Sequence, residues 1–252
     1  MAKIVAIANQ KGGVGKTTTA INLGAALGAF ERRVLLVDCD PQGNATRGLG
    51  LRAAAPHLYQ VLSGEAPPAT AIRPSGFPNL DVLPSDRDLV GVEVEFVGIE
   101  GWQLRLKGVL GEVGGDYDVI LLDCPPSLGH LTVNALAAAD GVLVPLQCEY
   151  FALEGVSELM ATVRRVKATI NPELEIAGIL LTMYDDRTNL SKDVAAEIRR
   201  HFGERVFESV VPRNVRLAEA PSHGLPIFEY DIKCRGAEAY LDLAREYMRG
   251  AA

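Results

Sequence analysis

Residues 9–19 read NQKGGVGKTTT. An apolar run, KIVAIA (3–8), precedes them. A helical pattern from Lys16 to Phe30 follows and places Ala20, Leu23, Leu27 and Phe30 on one face. Strand, glycine-rich loop, Lys-Thr and helix in that order predict a phosphate-binding loop. The glycines Gly12, Gly13 and Gly15 let backbone N–H groups turn toward a phosphate without a Cβ clash. The helix N-terminus adds its positive dipole end. Lys16 can reach the β- and γ-phosphates, and the Thr17 hydroxyl can ligate Mg²⁺. Such a loop needs one lysine. Lys11 is therefore a second cation whose role the residues alone leave open between a surface lysine and a ligand contact.

The rest of the chain repeats the same alternation. RVLLVD (33–38), NLDVLP (79–84), YDVILLD (117–123), GVLVPL (141–146), EIAGILLTMY (175–184) and RVFESVV (205–211) read as strands. Several are continuously apolar, as in a parallel sheet covered on both faces. Leu153, Val156, Met160, Val163, Val166 and Ile170 make a helical stripe. Another, over 237–249, brings Tyr240, Leu243, Ala244 and Tyr247 together. Leu89–Val113 reads as an irregular helix, and Pro67-Pro68 and Arg73–Pro78 as loops. The expectation is an α/β fold over 1–252: a single doubly wound, mostly parallel sheet with helices on both faces.

Composition narrows the function. Of the 252 residues, 48% are apolar, enough for one large core, and the net charge is −7. A general polyanion binder is basic overall, so any nucleic-acid contact here must come from a local patch. Cys39, Cys124, Cys148 and Cys234 lack zinc-ligand spacing and read as reduced thiols, in keeping with a cytosolic protein. No segment approaches the ~20 apolar residues that span a bilayer.

Two acidic motifs flank the loop's chemistry. In VDCDPQGN (37–44), Asp38 and Asp40 stand at the C-terminal end of the second predicted strand, the edge where open α/β sheets bind ligands. In ILLDCPPS (120–127), an apolar strand ends in Asp123, which can hold a water of the Mg²⁺ shell.

Together these motifs resemble the ParA/MinD superfamily of P-loop ATPases. KGGVGKTT matches its deviant Walker A motif, VDCDPQGN its switch I and LLDCPPSLG its switch II. VPLQCEYFALEG (144–155), GILLTMYDDRTNLS (178–191), VVPRNVRLAEAPSHGLPIFEYD (210–231) and RGAEAYLDLA (235–244) are similar to the chromosomal ParA, or Soj, branch. The resemblance spans nearly the whole chain and implies a P-loop NTPase fold without the N-terminal DNA-reading domain of larger plasmid ParA proteins. It implies ATP and Mg²⁺ as cofactors, with Gly12, Gly13, Val14, Gly15, Lys16, Thr17 and Thr18 at the phosphates and Thr17 and Asp123 at the metal. Lys11 would reach across an ATP-dependent homodimer to the partner's nucleotide, with Gly12 allowing the loops to approach. Asp40 would position the attacking water. Pro212 and Asn214 would line the adenine, with Met183 nearby.

The same resemblance implies slow ATP hydrolysis stimulated by a ParB-type partner, and nucleoid association in the cytoplasm without membrane binding. Arg187 and Arg216, with Arg213 as a further candidate, would bind double-stranded DNA non-specifically. The alternative is a MinD-like membrane switch, which needs a basic amphipathic C-terminal helix. Iron–sulfur relatives need interface cysteines that Cys124 and Cys148 do not match, and no carboxylated-substrate site of a dethiobiotin synthetase type is recognisable. Three features depart from the branch: Asp186 beside Arg187, Cys234 in DIKCRG, and the Gly98–Trp102 stretch.

Overall fold

The computed structural model describes residues 2–52, 54–150 and 152–250, with the side chain of Glu154 left out. Eight strands form one sheet: β1 (Lys3–Ile7), β2 (Val34–Asp38), β3 (Arg73–Pro74), β4 (Leu80–Leu83), β5 (Val119–Asp123), β6 (Gly141–Gln147), β7 (Glu175–Tyr184) and β8 (Val206–Pro212). Their order is β3-β4-β2-β5-β1-β6-β7-β8. All neighbours are parallel except β3, which pairs antiparallel with β4. β3 corrects the reading of Arg73–Pro78 as loop throughout. It carries no apolar signal because its only strand character is pairing with Asp81 and Val82.

Side chains alternate between two cores, one on each face of the sheet. In β5, Ile120 and Leu122 enter one core, while Val119 and Leu121 enter the other. The first core is closed by helices Arg105–Val113, His130–Ala138, Ala152–Thr169 and Asn189–Phe202. The second is closed by Lys16–Ala29 and Arg235–Gly250. Helix Lys16–Ala29 is buried well beyond its expected stripe. Ile21, Ala25 and Ala26 are as enclosed as Leu23 and Leu27, because the helix is sandwiched between the sheet and the last helix. At the exposed edge, the Glu246 carboxylate accepts from the β8 amides of Glu208 (2.6 Å) and Ser209 (2.9 Å). It occupies donors that could otherwise pair with another strand.

Leu89–Val113 is irregular, as its mixture of valines and glycines predicts. It breaks into a 3₁₀ turn (Arg87–Val90), two short helices (Gly91–Glu95 and Arg105–Val113) and another 3₁₀ turn (Trp102–Leu104). Trp102 packs on His130 with ring centroids 4.3 Å apart, and the Arg105 guanidinium lies 4.6 Å from the centre of the Phe96 ring. The atypical Gly98–Trp102 stretch thereby covers the start of helix His130–Ala138. Because β1, β2 and β5 to β8 run the same way, every loop carrying a predicted site residue leaves the same edge of the sheet.

Candidate nucleotide site

The glycine-rich loop joins β1 to helix Lys16–Ala29. Gly13 (φ +76°) and Gly15 (φ +88°) hold left-handed backbone that an L side chain rarely adopts. Asn9, buried beneath the loop, ties it to β6. Its Nδ2 donates to Pro145 O at 2.8 Å, and its Oδ1 accepts from Lys11 N at 3.0 Å. The Thr182 hydroxyl on β7 donates to Val14 O at 2.9 Å. Lys16 is buried and donates to Lys11 O at 3.1 Å. Burial pushes its amine below the usual lysine range, opposed chiefly by the charge of Asp123.

The strand-end carboxylates differ in their surroundings. Asp38 is fully buried and accepts from Thr46 N (2.8 Å), Thr46 Oγ1 (2.7 Å) and Asp40 N (3.2 Å). Burial nevertheless pushes its pKa up to about 6. Asp40 accepts from Gln42 N at 2.9 Å through Oδ1, and its carbonyl accepts from the Ser85 hydroxyl at 2.9 Å. Asp123 is completely buried, and neither carboxylate oxygen has a hydrogen-bond partner. Burial, then the charge of Asp38, pushes its pKa well above the carboxylate range. The Thr17 hydroxyl offsets part of that shift without reaching hydrogen-bond geometry. An unpartnered buried carboxylate beside a threonine hydroxyl and a phosphate loop fits a hydrated Mg²⁺, whose charge would stabilise the ionised form.

A cavity of about 310 Å³ adjoins the loop. Gly15, Thr18, Thr182, Met183, Pro212 and Asn214 are among its lining residues, so the predicted base contacts do converge beside the phosphate loop. Tyr240 also lines it, with its hydroxyl 3.2 Å from Thr19 Oγ1. The sequence reading treated Tyr240 only as core. Met183 has left-handed backbone, φ +50°, just before the chain leaves β7.

Of the three predicted DNA arginines, Arg187 and Arg213 lie on the loops after β7 and β8, and Arg216 in the short helix Val215–Glu219 that follows β8. Arg213 N donates to Tyr184 O at 3.1 Å and joins those loops. Arg187 makes a bidentate pair with Asp185 (2.9 and 2.7 Å), and Arg216 pairs with Glu219 (2.9 Å) and Asp231 (3.6 Å). Asp186, the unusual residue beside Arg187, pairs instead with Arg235 at 3.5 Å. Arg213 makes no ion pair among the described residues. Cys39, Cys124 and Cys148 are buried free thiols, and half-buried Cys234 accepts the Ala237 amide at 3.4 Å, capping the last helix.

The sequence reading missed a second layer behind these residues. Thr46 Oγ1 bridges Asp38 to the amide of Ser85 at 3.0 Å, and Ser85 in turn holds Asp40. Glu93 accepts from the amides of His130 and Leu131 and from the His130 ring, anchoring the helix that follows Asp123 and its loop. Burial alone would raise the Glu93 pKa, but those bonds outweigh it and lower it. A polar residue inside an apolar strand was the available signal for Thr182. None existed for Glu93.

The chain matches a family model described as an AAA domain over residues 2–176. It is 56% identical to the chromosome partitioning protein ParA of Caulobacter vibrioides, covering 97% of this chain and 93% of that protein. It is 54% identical to the sporulation initiation inhibitor protein Soj of Bacillus subtilis, covering 98% of each. The chain belongs to the ParA/Soj family. Within the ParA/MinD superfamily this is the chromosomal branch, as the motifs imply. The fold agrees. A solved structure described as cobyrinic acid a,c-diamide synthase from Mycobacterium smegmatis, with bound ADP and magnesium, superposes with a TM-score of 0.87. It is 39% identical and covers 99% of this chain and 95% of that one. This ParA/Soj-family chain therefore carries the P-loop NTPase architecture with its candidate site on the C-terminal sheet edge.

Proposed function

We propose that this protein is an ATP-hydrolysing DNA-partitioning switch. The observation that carries this reading is the shared sheet edge. A buried phosphate-loop lysine, an unpartnered buried Asp123, a largely apolar cavity and three surface arginines all leave it together. The names of the ParA and Soj relatives support the cargo, and the solved relative with ADP and magnesium supports the ligands.

In this reading the backbone amides of Gly12–Thr17 and the Lys16 ammonium hold the phosphates of ATP. Bound Mg²⁺ supplies charge neutralisation at the phosphate oxygens. Thr17 would ligate it directly and Asp123 through water. Asp40 orients the attacking water through its carboxylate, and Ser85 fixes the backbone that aims it. Met183, Pro212, Asn214 and the flank of Thr18 enclose the base. Lys11 reaches the phosphates of a second subunit's nucleotide and stabilises charge that develops during hydrolysis. The resulting dimer binds double-stranded DNA through Arg187, Arg213 and Arg216. A ParB-type partner stimulates hydrolysis, which releases the protein to the cytoplasm from the nucleoid.

Burial of Tyr240, Leu243, Ala244 and Tyr247 favours this over a MinD-like membrane switch. The apolar face of the last helix is already spent on the core. No described helix is long and apolar enough to cross a membrane. The test is DNA mobility with ADP, with ATP, and with ATP plus a ParB-type protein. Retardation of unrelated duplexes with ATP alone, reversed by the partner, is expected. Equal behaviour with ADP and ATP would sink the switch.

A further inference from the structure

Lys11 has a charged partner inside its own subunit. Its Nζ lies 2.7 Å from Oε2 of Glu149. Sheet topology makes the meeting possible. β1 and β6 are parallel neighbours, so the loops that follow them leave the same edge side by side. Asn9 pins the Lys11 loop to β6. The Gln147 side-chain amide donates to Oε1 of Glu149, and the Glu149 amide donates to Gln147 O at 2.8 Å. Both Glu149 oxygens are thus engaged, and the Lys11 ammonium is held at a defined place above the sheet edge. The Lys11 and Glu149 side chains remain 40% and 45% exposed, so an incoming anion can compete for the lysine.

We propose that Glu149 is a positioning residue that holds Lys11 in the unpartnered subunit and yields it to the phosphates of a second subunit's ATP. The idea rests on the cross-subunit reading of Lys11. A half-exposed pair is weak enough to exchange partners. A triphosphate carries more negative charge than one carboxylate, so ATP across the interface wins the lysine. ADP lacks the terminal phosphate and competes less well. Glu149 therefore sets a threshold against dimers formed without ATP.

The test compares dimer dissociation constants by sedimentation, using a non-hydrolysable ATP analogue with Mg²⁺. Glu149→Gln keeps the side chain's shape and removes its charge. Freeing one lysine per subunit should tighten the dimer by up to about fivefold per subunit, or about 25-fold for the pair. Glu149→Asp should return the constant toward wild type. ATP affinity of the dilute monomer should be unchanged in both variants, because the pair lies outside the subunit's own phosphate contacts. A merely structural role would loosen the dimer instead. If Lys11→Ala prevents dimers while Glu149→Gln leaves them unchanged or weaker, the proposal for Glu149 is overturned and the cross-subunit role of Lys11 stands. If Lys11→Ala dimerises like wild type, that reading falls and this proposal with it.

Discussion

Replacing Arg216 with glutamine tests the DNA contact proposed for a chain of net charge −7. Arg216 stands at the start of the helix Val215–Glu219, half-exposed, between Glu219 and Asp231. Removing its charge does not orphan Glu219, because the Tyr230 hydroxyl still donates to that carboxylate at 3.0 Å. The Asn214 side chain continues to cap the helix through the amide of residue 216. The local fold and the ATP dimer should therefore survive Arg216→Gln. A symmetric dimer loses two phosphate contacts. Each lost contact flattens the dependence of log affinity on log salt by about 0.9, so the slope should fall by about 1.8. Across a fourfold rise in salt, the wild-type advantage should then shrink by about 12-fold. Fluorescence anisotropy on two duplexes of unrelated sequence, with a non-hydrolysable ATP analogue, gives the slopes. Both duplexes should change alike, since phosphate contacts carry no base information. An unchanged slope with an intact dimer would falsify Arg216 as a phosphate contact. A change confined to one duplex would reveal base readout instead.

Asp40→Ala should bind ATP and dimerise yet lose about two orders of magnitude or more in stimulated hydrolysis, leaving DNA complexes that persist; wild-type release rates on a nucleoid-sized DNA would remove Asp40 from the chemistry. Gly12 has ordinary backbone, and a Cβ there meets nothing within 4 Å inside the subunit. Gly12→Ala should thus leave the melting temperature and monomer ATP binding intact while weakening the dimer, and an unaffected dimer would mean the two loops do not approach. Proton exchange offers a further check. Burial raises Asp123 and Asp38 above the ordinary carboxylate value of 3.8, with Asp38 at about 6. A buried Asp123 that holds its proton must release it when a bound cation favours the ionised form. Mg²⁺-nucleotide affinity should therefore fall as pH drops and Asp123 takes up its proton, with proton release visible by calorimetry in buffers of different ionisation enthalpy. Asp123→Asn should reduce that release; undiminished release would place the proton elsewhere.

Much of this architecture is legible in the sequence because its signals are local. The apolar runs became strands within a residue or two, since a parallel sheet buried on both faces needs continuous apolar stretches. Arg73–Pro74 escaped because only its partner strand makes it a strand. The phosphate loop was legible because its glycines, lysine and threonine are contiguous and follow a strand. Glu149 was not. It lies 138 residues from Lys11, in a stretch where a glutamate after an apolar run looks like any solvated carboxylate. Thr46 and Ser85 were hidden for the same reason: 39 residues separate them, and only the pairing of β2 with β4 brings their segments together. The arginines Arg187, Arg213 and Arg216 stand out in the sequence, but their acidic partners Asp185, Glu219 and Asp231 were not assigned, because ion pairing depends on where the loops turn.

The three strand-end aspartates show what burial adds to such a motif. In the sequence they are alike: acidic residues at the ends of apolar strands, each near a proline. In the structure their free valences separate them. Asp38 accepts three hydrogen bonds from Thr46 and Asp40, so it has little left for a ligand and instead fixes the loop. Asp40 uses Oδ1 to accept the Gln42 amide, while Oδ2 takes no hydrogen bond from the described residues and can hold a water. Asp123 is as buried as Asp38 but accepts nothing. Leaving a charged carboxylate so placed costs several kcal/mol in an apolar setting, of order the penalty for any unpaired buried ion. Retaining it beside Thr17 and Lys16 makes physical sense where a cation shares the site. In the proposed function, architecture, water and metal thus divide among Asp38, Asp40 and Asp123 by what each already bonds.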